Sequence, residues 1–201
     1  MSTTVAILIA LAVALIVIVW YFAAYNDFVR LRNLVTESWR QVGVELQRRH
    51  DLVPNLVATV EQAATFERGI LEAVVVARNR AQVAGTAMSA SPRPDEVATA
   101  ENALSTALGN LRVLAEQYPT VGTVRNYLVL QQELADIEDR IAAARRLYNG
   151  NVRALNTKIE SVPAAVIASL HQVSPAEYFE ISSPEAGKAT DVARLFNPGG
   201  N

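Results

Sequence analysis

The sequence predicts an all-α protein, with an N-terminal transmembrane helix continuous with a long antiparallel four-helix up-and-down bundle. Three observations predict it. Residues 5–24 form an uncharged apolar run, apolar residues then recur at every third or fourth position as far as residue 159, and no segment alternates with the two-residue period of a half-buried strand.

The run VAILIALAVALIVIVWYFAA, Val5 to Ala24, contains no charge, Pro or Gly, and its 20 residues as a helix cover about 30 Å, the hydrocarbon thickness of a bilayer. A cleaved signal peptide is the competing reading. It calls for a basic leading segment, absent here, and an apolar run of roughly 7 to 15 residues. Trp20 and Tyr21 stand at the C-terminal edge of the run, where amphipathic rings favour the interface. Arg30, Arg32 and Arg40 follow, whereas residues 1–4 carry no basic side chain. The positive-inside bias then leaves the N-terminus outside and the bundle in the cytoplasm of a single-pass cell-membrane protein. With no proline before Pro54, and Gly43 the one glycine in the stretch, the span and helix 1 are expected to form one rod from about Val5 to Arg49.

The stripe of helix 1 is Phe28, Leu31, Val35, Ser38, Val42 and Leu46. A turn is expected at His50–Asn55, with Asp51 capping helix 2 and Pro54 in its first turn. Helix 2 carries Leu56, Val60, Ala63, Ile70, Val74, Ala77 and Ala81, and GTAMSASPRP (85–94) reads as a loop. Asp95 then caps helix 3, whose stripe is Val97, Ala100 or Glu101, Leu104, Leu108, Leu111 and Ala115. Pro119 and Gly122 end it. Helix 4 starts near Thr123, and its stripe of Leu130, Leu134, Ile137, Ile141, Ala144, Tyr148, Val152, Leu155 and Ile159 has a spacing of about 3.6, the pitch of a straight helix. The segments are therefore 1–26 for the N-terminus and span, 27–162 for the bundle, and 163–201 for a short apolar helix and a weakly ordered tail.

Composition narrows the chemistry. A net charge of -2 offers no attraction for nucleic acid, and the absence of cysteine excludes disulfides, thiolate nucleophiles and cysteine metal sites. No Glu is followed by His at the spacing of a di-iron bundle, and His50 and His171 stand alone, so no metal or other cofactor is expected. Glycine patterns for phosphate and a motif base for a Ser or Thr nucleophile are also missing. The sequence does not read as an enzyme.

The strings YNDFVRLRN (25–33), Trp39, RRHDLVPNLVATV (48–60), Glu67, Ala77-Arg78, ENALSTALGNLRVLAE (101–116) with Tyr118-Pro119, LQQELADIEDRIAAARRLYN (130–149), Asn156, Pro163 and Phe179-Glu180 form an extended pattern. By them the chain, from Tyr25 to Glu180, resembles the LemA family of membrane-anchored helical proteins of bacteria. The resemblance implies a cytoplasmic antiparallel four-helix bundle behind one membrane helix, and it brings no reaction or cofactor. Gly43, Phe66, Gly150 and Leu155 stand where the family commonly has an aspartate, a histidine, an acidic residue and a tyrosine. A mechanism needing a His-Glu pair at 66–67 is therefore excluded.

Two sets of residues are candidates for interaction. The turns at 50–55 and 118–122 are expected to share one tip, which would display His50, Asn55, Tyr118 and Thr120; two plain helix stops are the alternative. On helix 4, Glu133, Glu138, Arg145 and Asn149 are read either as a solvated face or as polar contacts between helices or subunits that fix register. Helices at 52–84 and 123–160 would be about 50 and 57 Å long against about 35 Å for Asp27–Arg49. That excess, at Val74–Val76 and Pro163–Leu170, is expected to pack on neighbouring subunits or on the lipid interface. The expected function is that of a membrane-tethered scaffold or adaptor, self-associating and binding an unidentified membrane or cytosolic protein, with lipid contacted through residues 5–24. A membrane-surface-organising protein whose helices contact lipid is the alternative.

Overall fold

The computed structural model describes residues 2–63, 68–87, 93–118 and 124–181. These form α1 (Ser2–Ala63), α2 (Arg68–Ala87), α3 (Pro94–Gln117), α4 (Arg125–Glu160) and α5 (Ala164–Leu170), with no strand among the described residues. The all-α class is as expected. The N-terminal run is long and apolar enough to cross a membrane, and its residues 5–20 are exposed, while Ala24 at its end is buried.

The expected rod forms, but it does not stop at Arg49. α1 continues through His50–Asn55 to Ala63 with Pro54 inside it, so the turn at 50–55 is a misreading. Proline in a helix interior withholds the N–H that would bond the carbonyl four residues back, here that of His50. Arg78 of α2 supplies the missing donor: its Nε lies 3.1 Å from the His50 carbonyl oxygen. The buried stripe also keeps its phase across the proline, through Val42, Leu46, Val53, Leu56 and Val60. Moving the end of the helix to Ala63 removes the length mismatch. Asp27–Ala63 is about 55 Å of helix and α4 about 54 Å, so no excess remains to call for neighbouring subunits.

Smaller corrections follow the same chemistry. α3 begins at Pro94, whose missing N–H costs nothing in a first turn, with Arg93 rather than Asp95 at the N-cap. Asp95 and Glu96 lie inside that turn, where the helix dipole favours negative charge. Tyr118 is extended, as the following proline requires.

The chain divides into two compact units, one made of Met1–Glu45 with Arg140–Phe179 and the other built on Leu46–Asp139. A core drawn from four helices lies in the second. Val53, Leu56 and Val60 of α1 meet Leu71, Val74, Ala77 and Ala81 of α2, Leu104, Leu108 and Leu111 of α3 and Tyr127 of α4.

In the first unit α1 pairs with α4 in antiparallel register, with Asp27 opposite Lys158, Ser38 opposite Asn151 and Trp39 opposite Tyr148. α5 adds Ala164, Ile167 and Ala168 to a core of Ala24, Phe28, Leu31 and Leu155. It closes in a Schellman cap, with Val173 N–H bonded to the Ala168 carbonyl at 2.9 Å and Gln172 N–H to that of Ser169 at 3.3 Å. Gln172 takes the left-handed position (φ 51°) that glycine usually fills. Residues 173–181 then run without regular secondary structure.

Candidate functional site

The second unit encloses an ionic cluster. Arg49 and His50 are consecutive, so both reach the interior only because their helix turns them to either side of its buried stripe. Glu101 and Ser105 stand one turn apart on α3, between Val97 and Leu108 on its buried face. Arg49 donates from Nη1 to Glu101 Oε2 at 3.1 Å and from Nη2 to Ser105 Oγ at 2.7 Å. Its Nε forms an ion pair with Glu138 Oε1 of α4 at 3.0 Å, outside hydrogen-bond alignment. His50 Nε2 lies 2.7 Å from Glu101 Oε1 and carries the shared proton, because a carboxylate can only accept. His50 Nδ1 is buried without a partner.

Arg49, His50 and Glu101 are each at most 1% exposed. Burial of such a cluster costs desolvation, against which the mutual attraction of the charges and their hydrogen bonds act, and removing one partner leaves the others uncompensated. Glu138, at the edge, titrates above the usual carboxylate range because burial disfavours its charge and Arg49 only partly restores it. Arg49 takes up the Ser105 hydroxyl and His50 takes up the glutamate, which is not the relay of a hydrolase. Among the described residues no group of three acidic or histidine side chains could hold a metal ion.

The first unit holds a second constellation. Asn149 donates from Nδ2 to the Phe179 carbonyl at 3.0 Å and accepts the Phe179 N–H at 2.9 Å; Asn156 makes the same pair of bonds with Ala176, both at 2.9 Å. Seven residues of helix advance about 10 Å, as do three residues of extended chain. The spacing of the two asparagines therefore matches that of the two peptide units they hold. Tyr148 donates to the Glu177 carbonyl at 2.8 Å, and burial, with Glu177 adding, pushes its phenol up to about 12, so it remains a donor. Phe179 is fully buried, edge-on to Trp39 at 5.2 Å. The segment from Ala176 to Phe179 is thus pinned to α4; the tail beyond Ile181 lies outside the described residues.

The expected tip residues do not assemble at a turn. His50 is in the ionic cluster, Asn55 is an exposed residue within α1, Tyr118 ends α3, and Thr120 lies outside the described residues. Of the helix-4 set, Glu138 pairs with α1 and Asn149 clamps the C-terminal segment, while Arg145 is half-buried and Glu133 exposed. Arg49, Glu101, Ser105, Arg78 and Asn156 were not singled out as site residues. Their signal was phase, since Arg49, Glu101 and Ser105 fall where an apolar stripe continues.

The family model of the LemA family matches residues 38–193. Magnetosome protein MamQ 2 of Paramagnetospirillum magneticum is 27% identical over 175 residues, 78% of this chain and 64% of the relative. Magnetosome protein MamQ of Magnetospirillum gryphiswaldense is 26% identical over 174 residues, 77% of this chain and 64% of the relative. The chain thus spans a little less than two thirds of the length of these curated relatives. The match takes in the ionic cluster and the clamped segment alike, and by it the chain belongs to the LemA family.

Proposed function

We propose that this protein is a membrane-tethered helical scaffold that acts by binding other proteins, without catalysis, with its N-terminus outside and its bundle in the cytoplasm. The observation that carries the reading is the continuity of α1: one helix begins in a lipid-compatible run whose residues 5–20 are exposed and ends as a wall of the four-helix core. A tether of that kind transmits position to the unit it carries. The polar interior supports binding over catalysis, because its buried charges are bonded to one another beneath the surface.

Self-association is the finer part of the proposal. It rests on the exposed apolar side chains of α2, Val75, Val76 and Val83, a surface that copies of the chain would cover. The test uses purified protein in detergent with cysteine introduced at Val75. Disulfide-linked dimers, together with a light-scattering mass above the monomer, are expected. A monomeric mass with no crosslink would overturn self-association and leave the tether standing.

A further inference from the structure

We propose that α5 is a second membrane contact, a short helical dip whose outer face lies in the lipid interface beside the span; the inference rests on the tether reading above. Depth is the first argument. His171, immediately after α5, lies 2.7 Å through Nε2 from the Tyr21 hydroxyl, and its ring centroid is 4.7 Å from that of Tyr25. Tyr21 belongs to the apolar run that ends at Ala24. When that run is in the bilayer, whatever is bonded to Tyr21 sits at the hydrocarbon boundary with it.

The second argument is which face points outward. α5 buries Ala164, Ile167 and Ala168 against α1, and this leaves Val166 and Leu170 one turn apart on the opposite side, 69 and 67% exposed, with Val162 in the turn before the helix 87% exposed. The third argument is charge. Residues 161–176, SVPAAVIASLHQVSPA, contain no Asp, Glu, Lys or Arg. Glu160 and Glu177 bracket this uncharged stretch, and the ion pairs of Asp27 with Lys158 and Arg30 follow the end of the apolar run.

The turn is also suited to a place poor in water, where an unpaired backbone group is costly. His171, Gln172 and Val173 all return their N–H groups to carbonyls of α5. An interfacial helix with these properties fixes which way α1 faces, since a lone span can rotate about its own axis and a span with a side contact cannot.

The chain has no cysteine, so nitroxide labels can be placed singly at Ile16, Val83, Val166 and Leu170 in the full-length protein. Each variant is reconstituted at one copy per nanodisc of mixed phosphatidylcholine and phosphatidylglycerol, and collision with oxygen is compared with collision with an aqueous nickel chelate. Labels at Val166 and Leu170 are expected to resemble Ile16, with nickel collision several-fold below that at Val83 and oxygen collision above it. If Ile16 is lipidic while Val166 and Leu170 are as nickel-accessible as Val83, the dip is wrong and the tether survives. If Ile16 itself is aqueous, the tether reading fails. Shielding of Val166 and Leu170 from both reagents would show protein covering the stripe and would overturn the lipid assignment.

Discussion

Pro54 and Arg78 show how much of this fold turns on single atoms. The His50 carbonyl is left without its helical donor and Arg78 replaces it, so Arg78→Ala is expected to cost about 1–3 kcal/mol, the penalty of a buried unsatisfied acceptor. In a Pro54→Ala background residue 54 donates again, and the same substitution is expected to cost measurably less in urea unfolding. Equal costs in the two backgrounds would mean that Arg78 acts elsewhere. Glu101 poses the complementary case. Glu101→Leu strands Arg49 and His50 and is expected to cost about 3–5 kcal/mol, while Arg49→Met combined with it should recover part of the loss, because an apolar pair escapes the desolvation penalty.

Asp27, held below the usual carboxylate range chiefly by its bond from Lys158 and then by Arg30, has an effect that depends on pH. A depressed folded-state value contributes stability above the unfolded value of 3.8 and loses it as pH falls through the folded one. Asp27→Asn should therefore be less stable than the parent at pH 7, by at most about 1 kcal/mol for so accessible a pair, with the gap closing below about pH 4.

At the scale of elements, the helices were legible because their stripes are long: Phe28 to Leu46 and Leu130 to Ile159 are buried or half-buried at the expected positions. The position of the first turn was not. A proline and a capping Asp51 outweighed an apolar phase that passed through them unbroken, and the donor that rescues the carbonyl is 28 residues away in sequence. No local rule contains that partner. The clamped segment was hidden for a related reason, since Asn149 and Asn156 recognise backbone, and backbone leaves no pattern in the residues it belongs to. The clamp makes its own prediction. Replacing both asparagines with alanine should raise amide hydrogen exchange across 174–181 by at least about tenfold, the equivalent of one lost hydrogen bond of about 1.4 kcal/mol, while exchange in α2 and α3 stays unchanged. Unchanged exchange at Ala176 and Phe179 would mean that the Phe179 ring alone holds the segment.

For the whole molecule, one helix starts as an apolar run long enough to cross a membrane and ends in the four-helix core. The direction of crossing rests on Arg30, Arg32 and Arg40 on one side of the run and none on the other. The most direct measurement places a single cysteine at Val113, a 56% exposed residue of α3, and treats intact cells with a membrane-impermeant thiol reagent. The account expects no labelling until the membrane is permeabilised, and full labelling afterwards. Labelling in intact cells, or recovery of the protein in the soluble fraction, would contradict it.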